Sequence, residues 1–295
     1  MDCLHILFNL LQALAIYVLF VKYNLHEYIP SIQDSLFRDP SAVPDTINFH
    51  FTRKTRLQTL DTDEPLHIES LDNIKLGLRL LKSAGVRKIN FAGGEPFLHP
   101  HLLRNMVTFC SQLRIECVSI TTDPSRVTEK FMGLNGYAVD AIAVSCDSFA
   151  EAANVKSGRA NGSRLEDIKE AARICSKYFT PLVISTVVNR SNLAENMNEH
   201  LNALQPSCWK VFQNEGENGS EVTKSDADLS ISDKEFEKFC KRHQHHEFFA
   251  PMSNKSDKES ALTLDEYMRF KKRSGAPTRS IFNVGVAVAL EDTLL

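Results

Sequence analysis

Between Cys3 and Cys110 the chain has no cysteine at all, a gap that spans its first strand-like segment and the polar loop that follows. The seven cysteines, Cys3, Cys110, Cys117, Cys146, Cys175, Cys208 and Cys240, are scattered and form no C-x-x-C pair. That leaves no zinc site to be built from sequence neighbours, and it fits reduced thiols in a cytosol-facing chain better than a disulfide framework. Neither charge is in excess: 34 Lys and Arg face 37 Asp and Glu, a net charge of −3. A nucleic-acid polymer would find no basic footprint here. A basic amino-terminal region and a small-x-small cleavage site are also missing, which weighs against a cleaved signal peptide.

What the sequence does have begins with an apolar run, "LHILFNLLQALAIYVLFV", residues 4–21. At 1.5 Å per residue it could just span a hydrocarbon core of about 30 Å. His5, Asn9 and Gln12 recur at helical spacing and share one face, which also permits a helix lying in the interface or packed on another helix. We read residues 1–23 as a membrane-associating helix, 24–45 as a linker with three prolines, and 46–295 as one α/β domain.

In that domain strand-like runs alternate with amphipathic helices. The strand candidates are Ile47–Phe51, Val86–Phe91, Cys117–Thr122, Ala141–Cys146, Leu182–Val188 and Cys208–Phe212. Their apolar, β-branched composition suits strands buried on both faces. Leu71, Ile74, Leu78 and Leu81 make one helical stripe, with Ser70 placed to cap its start and Gly85 to close its end; Ser232 should cap a later helix. Six β-α units imply a parallel sheet with right-handed crossovers, an open (β/α)6 partial barrel of the TIM type. Function in such sheets sits at the carboxyl ends of the strands.

Strand two ends in "INFAGGEPFLHP". Gly93 and Gly94 can take positive φ and bring backbone close to a ligand, Glu95 offers a carboxylate, and Pro96 stiffens the exit. With "VRKINFAGGEPF", "AVSCDSF", "SGRANG", "VVNRSN", "WKVFQ", "EGENG" and "LDEYMRF" in this order, the chain resembles the viperin-like family of radical S-adenosylmethionine (SAM) proteins from about Asp45 to about Ala289. The resemblance implies the partial barrel of the radical SAM type, a [4Fe–4S] cluster and SAM. It implies dehydration of a nucleoside triphosphate to its 3′-deoxy-3′,4′-didehydro form, and an antiviral role. It also implies attachment to the cytosolic face of the endoplasmic reticulum or lipid droplets. By the same resemblance, Gly93, Gly94 and Glu95 receive the methionine amino group, and Ser145 and Arg159 hold ribose and carboxylate. Asn48, Lys88 and Lys210 face the nucleotide, and Tyr267 donates a proton or hydrogen.

The match fails at the cluster. Where the family has its three cluster cysteines this chain has Thr55, Thr59 and Thr62, and a hydroxyl is too hard and too weakly acidic to replace thiolate at iron. Val183 and Cys208 stand where the family has a lysine and an arginine near the triphosphate. Asp123-Pro124 replaces an Asn-Gly turn, and the loops after strands one and six look shortened. The chain stops at "VGVAVALEDTLL", short of the family's aromatic tail. We therefore expect an inactive member that keeps weak SAM or nucleotide binding. The alternatives are an active dehydratase with an unusual or shared cluster, and an anchored interaction protein with a vestigial pocket.

Smaller signals receive plain readings. His243, His245 and His246 crowd a helix end, with a metal site as the alternative. "RFKKRSG", Arg269 to Gly275, reads as a solvated helix end, with a phosphate patch as the alternative. Trp209 should be core.

Overall fold

The computed structural model describes residues 43–54, 66–150, 165–214, 229–252, 261–272 and 274–294. The apolar run 4–21, the three threonines, and Arg159 lie outside them. Among the described residues no helix is long and apolar enough to cross a membrane.

Six strands arise where the sequence places them: β1 (Thr46–His50), β2 (Lys88–Ala92), β3 (Cys117–Thr122), β4 (Ala141–Ser145), β5 (Leu182–Val188) and β6 (Cys208–Gln213). They pair in parallel and in sequence order. Helices α1 (Leu71–Ala84), α2 (Pro100–Gln112), α3 (Glu129–Asn135), α4 (Leu165–Lys177), α5 (Asn198–Leu204) and α6 (Asp233–His243) follow them in turn. The caps form as expected. Ser70 accepts from Asn73 N at 3.2 Å, Gly85 turns left-handed at φ 108°, and Ser232 with Glu235 forms a reciprocal capping box.

Four further strands extend the sheet to ten: β7 (Phe249–Met252), β8 (Ala261–Leu264), β9 (Arg269–Lys271) and β10 (Pro277–Ser280). β7 adds in parallel beside β6, and β8 adds in parallel beside β1 on the opposite edge. β9 and β10 continue from β8 as antiparallel partners. "RFKKRSG" is therefore no helix end. Its Arg269–Phe270–Lys271 is a strand, and the Arg269 guanidinium is held by Asp265 at 2.9 Å.

Nor are the strands buried on both faces. In β1, β3, β4 and β5, buried and half-buried residues alternate. The fully buried phase (Ile47, Phe49, Ile120, Ile142, Ile184) joins Leu78, Leu81, Leu103 and Met106 of the helices in the core. The opposite phase carries Asn48, Asn90, Ser119, Thr121, Ser145 and Ser185 and is half-buried. A curved sheet with helices on one side leaves this second phase lining the concave interior, which explains how polar residues sit inside otherwise apolar strands. Trp209 is core, fully buried, its indole N–H donating to Thr186 Oγ1 at 2.9 Å.

Candidate functional site

The carboxyl ends of β1, β2, β3, β4 and β5 form the rim. After β2, Gly93 and Gly94 have φ of 73° and 48°. A Cβ on Gly93 would strike the His50 ring, lying 2.7 Å from its Nδ1. A Cβ on Gly94 would meet the backbone of Thr52–Lys54, at 2.9 Å from Thr52 O. Only glycine lets this turn lie flat on the exit of β1. Glu95 N donates to Lys54 O at 2.8 Å, closing the contact.

Glu95 is buried, and both oxygens of its carboxylate accept hydrogen bonds. Oε1 accepts from Thr122 Oγ1 at 2.6 Å and Phe97 N at 3.0 Å, while Oε2 accepts from Asp123 N at 3.0 Å. Its side chain thus ties the β2 loop to the end of β3. The sequence offers Glu95 as a carboxylate for a ligand; in the structure three of its acceptor positions tie the loop together, and Oε2 accepts a single bond.

Ser145 ends β4, in register with Ser185 of β5. Beyond it, Asp147 Oδ1 accepts from Val187 N at 2.9 Å, and Asn192 Nδ2 donates to Asp147 O at 2.6 Å. Glu195 accepts from Ser148 Oγ at 2.5 Å and from Phe149 N at 2.9 Å. "VVNRSN" therefore works as a brace for "SCDSF".

On the concave face, Asn90 Nδ2 donates to Asn48 Oδ1 at 3.0 Å, and Asn90 Oδ1 accepts from Ser119 and Thr121 hydroxyls at 3.0 and 3.1 Å. Asn48 is one end of a polar ladder across β1, β2 and β3 that the sequence reading missed. The signal was present, since Asn90 occupies the same phase as Asn48 in a neighbouring strand. Lys88 lies at the amino end of β2, away from the rim, its Nζ 2.8 Å from Asp45 Oδ2. This contact raises the Lys88 ammonium's pKa. Burial pushes the Cys117 thiol up, the Asp140 carboxylate adds to it, and the ammonium groups of Lys88 and Lys210 pull the other way. Both lysines therefore lie within electrostatic reach of one thiol at the bottom of the concave face. Val183 and Cys208 are register partners there, two residues before the Ser185–Lys210 pair.

Tyr267 occupies the turn after β8. His67 stacks on its ring at 4.3 Å and 6°, and the Arg269 guanidinium lies 4.6 Å from the ring centre. Beside it, Glu266 is buried and holds Arg53 Nε at 2.5 Å, so the β8 turn is locked to the exit of β1.

The histidines do not assemble a site. His243 Nδ1 donates to Phe239 O at 2.9 Å, and Nε2 accepts from Met197 N at 3.2 Å. Burial pushes its pKa down to about 4. His246 Nε2 pairs with Asn198 Oδ1 at 2.9 Å. Among the described residues no group of three His, Cys, Asp or Glu is placed to hold a metal ion.

The Radical SAM superfamily profile matches residues 51–204. The S-adenosylmethionine-dependent nucleotide dehydratase RSAD2 of Danio rerio is 39% identical over 269 residues, covering 86% of this chain and 75% of its own. The chain belongs to the viperin-like radical SAM family. The corresponding protein of Oncorhynchus mykiss is 37% identical, over 88% of this chain and 79% of its own. A nucleotide dehydratase of Flammeovirga pacifica is 30% identical, over 72% of this chain and 74% of its own. The solved structure of native anSMEcpe with bound AdoMet shares the fold at TM-score 0.62 and 10% identity, over 84% of this chain and 82% of that one. Streptococcus suis SuiB bound to S-adenosylmethionine shares it at TM-score 0.58 and 13% identity, over 78% and 60%.

Radical SAM proteins of this family imply SAM and a [4Fe–4S] cluster. The glycine cradle over β1 is chemically suited to the first. For the second, residues 4–109 offer no thiolate. The nearest later thiol, Cys110, is fully buried in α2 and pushed up to about 12.

Proposed function

We propose that this viperin-like protein binds SAM, with a nucleotide beside it, but lacks the electron-transfer step that a thiolate-held cluster would drive. The observation that carries this reading is the cysteine-free stretch, which puts Thr55, Thr59 and Thr62 where the resemblance calls for cluster ligands. The methionine amino group of SAM would lie at the Gly93–Gly94 backbone and Glu95, whose carboxylate accepts from Thr122, Phe97 and Asp123 and keeps an acceptor position on Oε2. Ser145 would face the ribose, and Arg159 suits the carboxylate through a bidentate pair. The nucleotide would lie along the Asn48–Asn90 ladder with its phosphates toward Lys88 and Lys210, and Tyr267 would flank it at the rim. Val183 and Cys208 remove two cations from that lower region, so affinity would be weak. SAM supplies an electrophilic sulfonium; without an electron donor the chain's residues hold it uncleaved.

A second reading is an active dehydratase that makes the 3′-deoxy-3′,4′-didehydro nucleotide, with other cluster ligands or a cluster shared with a partner chain. The 39% identity to a protein named as a SAM-dependent nucleotide dehydratase favours it. In either reading residues 4–21 attach the chain to a membrane, on the cytosolic face of the endoplasmic reticulum or of lipid droplets. Calorimetric titration of the purified chain with SAM, alone and with a nucleoside triphosphate, tests the binding claim. Saturable SAM binding lost in a Gly93 variant is the expected result, and no SAM binding at all would leave the pocket vestigial.

A further inference from the structure

We propose that the amino-terminal end of the barrel, the end remote from the rim, is a lipid-contacting face built around Phe179, Tyr137 and Leu134. Phe179 is 94% exposed, Tyr137 77% and Leu134 52%. They form one surface. Gly133 lies against the Tyr178 hydroxyl, and Gly136 against Tyr178 Cβ and Thr180 Oγ1, so the end of α3 and its following turn pack directly on Tyr178–Thr180.

Phe179 occupies a position that folding alone does not explain. It follows α4, where Thr180 N donates to Cys175 O at 2.9 Å and Phe179 N to Ser176 O at 3.2 Å. This is a Schellman cap with Phe179 at the left-handed residue, φ 52°, the place where glycine is favoured. A bulky side chain there strains the backbone, and with its ring almost wholly exposed it buries nothing in return. A partner outside the barrel would supply the missing compensation.

The sequence points to the nature of that partner. Residues 43–45, 138–140 and 179–181 immediately precede β1, β4 and β5, so the chain enters the barrel at the same end that displays the aromatic patch. Residues 22–42 separate that entry from the apolar run at 4–21, and a chain of that length reaches at most roughly 70 Å. Once residues 4–21 engage a bilayer, the tether joins the barrel at this end. Exposed aromatics at an end of the barrel that also carries cations, among them Arg114 at another left-handed helix cap (φ 55°), suit the bilayer interface. The inference rests on the reading that residues 4–21 engage a membrane. It adds an orientation: the rim faces the cytosol and the floor faces lipid.

The test uses the full-length chain with phosphatidylcholine–phosphatidylserine vesicles. Phe179→Trp should be quenched strongly by lipids brominated near the headgroup, whereas Ser125→Trp, at the rim end, should not. Replacing Leu134, Tyr137 and Phe179 together by serine should weaken vesicle partitioning by roughly tenfold or more, with thermal unfolding unchanged because all three are exposed. Equal quenching at both probes, or unchanged partitioning of the triple variant, would overturn the proposal while leaving the anchor intact. A blue-shifted Phe179→Trp emission without vesicles would overturn it in favour of residues 4–21, or a second copy, covering the patch; dilution tells those two apart. A full-length chain that does not bind vesicles would remove the anchor and the proposal together.

Discussion

Changing Glu95 to glutamine separates a strut from a ligand. Its carboxylate accepts from Thr122 Oγ1, Phe97 N and Asp123 N, and it is 6% exposed. Glutamine keeps one acceptor oxygen for Thr122 and Phe97 but turns an NH2 group toward Asp123 N–H, setting donor against donor. One charge-assisted bond is lost, about 1.5–3 kcal/mol, and the two that remain fall to the neutral range of about 0.5–1.5 kcal/mol each. The sum predicts a loss of about 3.5–6 kcal/mol in stability, read from the urea midpoint at constant slope. Thr122→Val should cost about 1.5–3 kcal/mol through the same oxygen, and the double variant should cost less than the two added, since they share that bond. SAM affinity should fall in step with the loosening of the loop. If Glu95→Gln unfolds within about 1 kcal/mol of the parent while SAM binding collapses, the carboxylate touches the ligand and the strut argument is wrong.

Three further outcomes follow from the same geometry. Val183→Lys with Cys208→Arg, register partners on the concave face, should strengthen nucleoside triphosphate binding by roughly two to four powers of ten; calorimetry showing less than a threefold gain would mean that the phosphates lie elsewhere. Gly94→Ala should cost about 1–2 kcal/mol for a side chain at φ 48° and about 1–3 kcal/mol for its overlap with the Thr52–Lys54 backbone, and a urea midpoint unchanged from the parent would contradict this. His243, whose pKa burial lowers to about 4, is neutral in the fold and charged in the unfolded chain between about pH 4 and 6.5. Its contribution to stability is therefore full above about pH 6.5 and is lost as pH falls toward 4, roughly 3 kcal/mol in all; nitrogen NMR should find its ring still neutral at pH 5.5, and an ordinary midpoint would refute the burial argument.

Periodicity and caps carried most of the barrel. Strands β1 to β6 fall within about two residues of their sequence bounds, because β-branched runs between amphipathic helices have few other ways to be buried. The edge strands were not legible. "FAPM" and "PTRS" have no alternation of their own, and they are strands only because β6, and the β8–β9 ribbon, offer edges to pair with. "RFK" was obscured by the basic residues that follow it. The concave face was misread because β-branched residues fill both phases of strands such as β5, while the half-exposure of one phase comes from curvature, which composition does not encode. At the site, "GGEP" pointed to the loop, but its sequence could not show that Glu95 faces Thr122. That depends on β3 lying beside β2. Lys88 and Lys210 are far apart in sequence, and the sheet brings each within electrostatic reach of Cys117.

The most direct test of the central claim is iron content. The full-length chain, reconstituted anaerobically with iron and sulfide, would be assayed for bound iron, then given SAM and dithionite and assayed for 5′-deoxyadenosine. The absence of thiolates at Thr55, Thr59 and Thr62 predicts no stoichiometric iron and no 5′-deoxyadenosine, with SAM still bound. About four irons per chain together with 5′-deoxyadenosine would contradict it and would mean that a cluster is held by ligands other than those three positions.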